Sequence, residues 1–123
     1  MKPGLILFAH GARDPRWAIP FEAVAAQVRA SRPGLPVRLA YLELMQPDLA
    51  AAGCDLAAEG CDHVTVLPLF LGAGGHVRKD LPVIVDGLRG AYPQVNWQLQ
   101  PPVGELPAFT AAMASAALGC LPA

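Results

Sequence analysis

Two hydrophobic rhythms alternate along the chain. Short unbroken apolar runs recur, and between them lie longer stretches in which apolar residues return every three or four positions. The first rhythm marks strands buried on both faces, and the second marks helices with one apolar side. Gly4-Leu5-Ile6-Leu7-Phe8-Ala9 predicts a first strand, Val37 to Leu42 a second, and the run from Val64 to Leu71 a third. Val95-Asn96-Trp97-Gln98-Leu99 alternates apolar and polar residues instead, which predicts an edge strand with one wet face. Asp14-Pro15 is expected to open a first helix, with Asp14 accepting bonds from free N–H groups and Pro15 preset for the first turn. Ile19, Phe21, Val24, Ala25 and Val28 give that helix its apolar face, and Pro33-Gly34 ends it. Pro47 opens a second helix with Leu49, Ala52 and Leu56 buried and Gly60 as its cap. Asp80 and Pro82 are expected to open a third through Val83, Ile84, Val85 and Leu88, ending at Gly90. Glu105 and Pro107 introduce an alanine-rich fourth to about Leu118. Proline is thus expected in the first turn of every helix.

Strand and helix alternate four times with short connections and no linker. The order predicts one α/β domain over residues 1–123: a doubly wound, four-stranded parallel sheet of order 2-1-3-4, with right-handed crossovers and helices on both faces. That order sets the first and third strands side by side and brings all strand ends to one edge, where open α/β sheets bind ligands. Three polar residues fall at those ends: His10 after the first strand, Glu43 after the second, and His76 on the glycine loop after the third. Two neutral imidazoles and a carboxylate suit a borderline divalent cation such as cobalt, iron, nickel or zinc, and leave coordination positions open. His10 and His76 are therefore the candidate metal ligands, and Glu43 a candidate proton acceptor. The bland alternatives are histidines that bond loop carbonyls and a Glu43 that caps the helix near Pro47. His63 opens the third strand and belongs to the opposite edge, so it takes no catalytic role.

Arg13, Arg78 and Lys79 flank the two histidines and are candidates to hold carboxylates of an acidic substrate. Gly74 and Gly75 allow backbone to approach a ligand, and the first and third helices aim positive N-termini at the same edge. Gly72-Ala73-Gly74-Gly75 lacks the ending of a nucleotide-binding P-loop and comes after the third strand, not the first.

Composition narrows the classes. At 123 residues with 54% hydrophobic and 15% charged residues, the chain is apolar for a soluble domain, so either the sheet is well covered or an apolar surface meets another subunit. The formal net charge of -1 and the lack of a basic block exclude nucleic acid as an expected partner. No apolar run approaches a membrane span, and His10, Arg13 and Asp14 break the start of the chain too early for a signal peptide. Cys54, Cys61 and Cys120 lack metal spacing and are odd in number, which fits a cytoplasmic protein with buried or incidental thiols.

Three motifs carry a family resemblance. His10-Gly11-Ala12-Arg13-Asp14-Pro15, Tyr41-Leu42-Glu43 with Pro47, and Pro68-Leu69-Phe70-Leu71 leading to Gly74-Gly75-His76-Val77 and Asp80-Leu81-Pro82 resemble the CbiX/SirB sirohydrochlorin chelatases. The length is similar to the short, single-lobe form of that class II chelatase superfamily. The resemblance implies a chelatase-like, flavodoxin-like fold and a homodimer that supplies both lobes. It implies insertion of Co²⁺ or Fe²⁺ into sirohydrochlorin, for cobalamin or sirohaem synthesis, with no organic cofactor. His10 and His76 match the family's metal-binding histidines, and Glu43 its second-motif acid. Ala12 departs from a serine frequent in the family.

Rival readings use the same residues differently. A histidine phosphatase would carry arginine directly before the first-strand histidine, where this chain has Ala9. A non-catalytic metal or tetrapyrrole carrier would bind both ligands without joining them.

Overall fold

The computed structural model describes residues 1–72 and 74–123, so Ala73 of the glycine run lies outside the described residues. Parallel strands β1 (Pro3–Ala9), β2 (Val37–Tyr41), β3 (His63–Pro68) and β4 (Asn96–Leu99) pair in the order β2-β1-β3-β4. Helices α1 (Ile19–Ser31), α2 (Leu49–Ala58), α3 (Gly75–Ala91) and α4 (Pro107–Gly119) succeed the strands in turn. Phe8 sits beside Ala40 on one side and Pro68 on the other, so β1 is central and the ends of β1, β2 and β3 align. The predicted sheet order is the observed one.

Burial tracks strand alternation. Ile6 and Phe8 of β1, Val64 and Val66 of β3, and Trp97 of β4 point to one face, where Leu49, Ala52 and Leu56 of α2 and Leu81, Val85 and Leu88 of α3 cover them. Trp97 is fully buried while Asn96 and Gln98 are exposed, as an edge strand with one wet face requires. On the other face Ala25 of α1 is buried with Leu7 and Val37, and Leu67 and Leu69 on the β3 side are only partly buried beside them. The expected second helix of that face does not pack: α4 buries none of its residues. Ile19 and Val24 of the predicted apolar face of α1 are also exposed.

Helix starts differ from the proline rule. Asp14 accepts a bond from the Arg16 N–H at 2.9 Å, as predicted, but it opens a 3-10 turn, Pro15–Ala18, which only then passes into α1. The Arg16 guanidinium, and then its backbone N–H, hold the Asp14 carboxyl below its ordinary range. Pro47 precedes α2, whose cap is Asp48, with its carboxylate accepting from the Ala51 N–H at 2.8 Å. Asp80 is not a cap and Pro82 is not at a start, because α3 already begins at Gly75 behind an extended Gly74. Pro82 therefore removes one bond inside that helix. Of the three thiols only Cys61 is buried; Cys54 and Cys120 are exposed. No helix among the described residues is long and apolar enough to cross a membrane.

The Asp48 cap gives a measurable expectation. Asp48→Ala leaves an N-terminal N–H of α2 without its acceptor and lowers stability by about 1 kcal/mol. A urea titration monitored by circular dichroism should show a lower midpoint with an unchanged slope.

Candidate active site

The backbone ladders of the sheet continue beyond the strands and place the site. The Leu42 N–H donates to the Ala9 carbonyl at 2.9 Å, and the Glu43 N–H to the His10 carbonyl at 3.1 Å. On the other flank, the Leu69 N–H donates to the Phe8 carbonyl at 2.7 Å. The segments after β1, β2 and β3 are thus stitched together at one edge.

His10 and Glu43 meet there. His10 Nε2 lies 3.4 Å from Glu43 Oε1, with the side chains 48% and 55% exposed. Two donors on one cation, each with a bond of about 2.1 Å, stand about 3.4 Å apart at the tetrahedral angle. The spacing therefore suits a shared ion as well as a direct contact between the two groups. The Phe70 ring meets the His10 ring edge-on at 5.9 Å and limits how the imidazole turns. Phe70 itself is buried against Phe8.

Gly11 makes the meeting possible. It adopts φ +97, and a Cβ there would sit 1.8 Å from the Glu43 carbonyl oxygen. No other residue type fits between these two segments. Leu44, next to Glu43, also holds a left-handed φ of 65 without being glycine, so the backbone carrying the carboxylate is strained. Trp17 packs on Phe21 and Tyr41 at 4.6 and 6.5 Å, and anchors the segment leading away from His10. Burial, and then the charge of Glu22, raise the Tyr41 phenol above its ordinary range.

His76 lies in the first turn of α3 and not on a loop, and it is exposed. Among the described residues no group of three or more His, Cys, Asp or Glu side chains is close enough to enclose an ion. The fold thus joins His10 to Glu43 and leaves His76 at the same edge but outside any closed ligand set.

The surrounding charges sort themselves by geometry. Arg13 and Lys79 are exposed beside the two histidines. Arg78 is engaged by Glu105, 2.9 Å away. Nothing in the sequence signals that pair, because Glu105 arrives from a 3-10 turn, Val103–Glu105, that only the fold brings near. Of the two helix N-termini expected to aim at this edge, the first is occupied by Asp14, whereas α3 has no side-chain cap. Gly74 and Gly75, both exposed, leave the N–H groups of that turn open to an anion. His63, in β3, pairs with Pro3 and Asn96 at the opposite end of the sheet.

Known proteins resemble the chain along nearly its whole length. The CbiX family model matches residues 4–118. The sirohydrochlorin cobaltochelatase of Methanococcoides burtonii is 26% identical over 84 residues, covering 68% of this chain and 64% of that protein. That of Methanopyrus kandleri is 31% identical over 78 residues, covering 63% and 54%. The chain thus spans less than two thirds of the length of these curated relatives. The solved structure of the CbiX protein of Marinobacter aquaeolei VT8 superposes with a TM-score of 0.84 at 33% identity, over 95% of both chains. The sirohydrochlorin chelatase SirB of Bacillus subtilis subspecies spizizenii, solved with cobalt, shares the fold with a TM-score of 0.76 at 22% identity. There the match covers 98% of this chain but 51% of SirB.

Proposed function

Because the chain belongs to the CbiX family, we propose that it inserts a divalent cation, Co²⁺ or Fe²⁺, into a sirohydrochlorin-type tetrapyrrole. The observation that carries this reading is the pairing of His10 with Glu43 at 3.4 Å, on an edge that also presents His76 and an uncapped helix start. Sirohydrochlorin is a planar macrocycle rimmed by carboxylates. Arg13, Arg78, Lys79 and the open N–H groups near Gly74 and Gly75 match that rim by charge.

The ion is a substrate in this scheme. His10 and His76 hold it at one face of the macrocycle through imidazole nitrogen. Two pyrrolic protons must leave as metal–nitrogen bonds form, so the net products are metallated ring and two protons. In this reading Glu43 accepts one of them, and an imidazole that has released the ion takes another. Neither step requires an organic cofactor. Nickel also suits imidazole ligands and is a competing ion. The active form in this reading is a cytoplasmic homodimer, with the second copy completing the cleft.

An anaerobic absorbance assay tests the proposal. Protein, sirohydrochlorin and either Co²⁺ or Fe²⁺ should give the spectrum of the metallated ring faster than the same mixture without protein. Tight binding of both ligands with no acceleration would assign the protein to carriage instead.

A further inference from the structure

The strained turn that carries Glu43 has a feature that proton acceptance leaves unused. Leu44 is its middle residue: the Met45 N–H donates to the Glu43 carbonyl at 2.8 Å, and the residue between them holds φ 65. A three-residue turn closed this way at positive φ is the rare, strained form of the γ-turn. Glycine is the residue that such a backbone favours. The Glu43 carbonyl is also the atom that Gly11 approaches, and the Glu43 N–H donates to the His10 carbonyl at 3.1 Å. The turn is therefore held from two directions.

The Leu44 side chain gains little inside the molecule to offset that strain. Leu42 and Met45 on either side pack against buried clusters, whereas Leu44 is 59% exposed. An exposed leucine by itself is ordinary. One held at φ 65 is not, because glycine in its place would remove both the strain and the exposed apolar surface. Two local rules broken at one residue point to a functional position. The place is specific as well. Leu44 follows Glu43, whose carboxylate meets His10, and both of those side chains are about half exposed. A flat macrocycle centred over His10 and Glu43 is wider than one residue step of about 3.8 Å, so its ring extends over residue 44.

We propose that Leu44 is a contact for the apolar face of the tetrapyrrole ring and holds its plane over the His10–Glu43 pair. The inference rests on the functional reading for the identity of the ring, and adds to it a residue that touches the ring itself. Rim cations and open N–H groups recognise carboxylates, but they do not set the height of the ring above the metal site. An apolar side chain beside Glu43 does, through dispersion and exclusion of water. Removing it should weaken ring binding about five- to tenfold, the effect of leaving roughly half a leucine side chain uncovered.

Anaerobic titration of metal-free protein with sirohydrochlorin, followed by the absorbance of the ring, tests the contact without any proton transfer to Glu43. Leu44→Ala keeps the backbone demand and shortens the side chain, so it should show the full loss of ring affinity. Leu44→Met conserves volume and should bind within about twofold of the wild type. Leu44→Gly should lose as much affinity as Leu44→Ala while its Tm rises by about 3 °C, because the strain is released. Val83→Ala, which trims another exposed apolar residue, on α3, should bind as the wild type does. Co²⁺ binding in the absence of the ring should be the same in Leu44→Ala and the wild type. Wild-type ring affinity in Leu44→Ala overturns the proposal, as does a loss confined to Leu44→Gly, which would assign the effect to the backbone. Loss of Co²⁺ binding or a lower Tm in Leu44→Ala also overturns it, since the side chain would then be supporting the turn. A wild type that binds and metallates the ring while Leu44→Ala matches it removes only the Leu44 contact. A wild type that does not bind the ring removes the functional reading and the contact together.

Discussion

His10→Ala should lower the rate of cobalt insertion into sirohydrochlorin by about a hundredfold or more, while His63→Ala leaves it within about twofold. Removing a group that merely orients a metal ligand costs about 10–100-fold in affinity or activity, so loss of a ligand, the role proposed for His10, sits at or beyond the upper end. Among the described residues His10 is also the only imidazole paired with a carboxylate: Glu43 lies 3.4 Å from its Nε2. In the proposed mechanism loss of His10 takes a nitrogen donor from the ion and leaves Glu43 without the group that faces it. His63 has the same chemistry at the wrong end of β3, about 20 Å away along six residues at about 3.3 Å each. The comparison therefore separates position from residue type. Rates from the anaerobic absorbance assay, with circular dichroism to show that both variants fold, check it. Equal rates in the wild type and His10→Ala would remove His10 from the site.

Gly11→Ala should be the most damaging of the small substitutions. The added Cβ would fall 1.8 Å from the Glu43 carbonyl oxygen, and φ +97 is a conformation that alanine resists on its own account. The conformational penalty alone is about 1–3 kcal/mol. The clash with backbone adds to it, because a carbonyl cannot rotate aside as a side chain can. A total of about 3 kcal/mol or more corresponds to a fall in Tm of about 10 °C for a domain of this size. The displacement also separates the segments that bring His10 to Glu43, so activity should fall even at temperatures where the variant remains folded. Calorimetry and the chelatase assay at low temperature measure the two effects separately. A Tm within about 2 °C of the wild type would show that the two segments part without cost.

Much of the architecture was legible in the linear pattern. Apolar runs, their spacing and the β-α order predict the sheet order and place His10, Glu43 and His76 at one edge, with His63 at the other. Local rules also worked where the competing interactions are local: Asp14 caps its turn, and Gly60 adopts φ +88 just past α2. They failed where a stronger local alternative was present. Pro82 and Asp80 suggested a helix start, but glycine at 74 and 75 lets α3 begin earlier and run through both. Pro47 gave way in the same manner to Asp48, whose carboxylate can reach an N–H that proline does not satisfy.

The contacts between distant segments were not legible. Gly11 against the Glu43 backbone, Phe70 against His10, and Glu105 against Arg78 join residues separated by tens of positions, and no periodicity encodes them. The partly covered face of β3 was hidden for a related reason. The apolar composition of α4 says that it must be buried, but not against which surface. Sequence alone determined the alternation of strands and helices, the order of the strands and which residues reach the ligand-binding edge, because those depend on side-chain alternation and short connections. Only the tertiary structure decided which of those residues touch and which helix is left without a surface, because these depend on backbone paths converging in space.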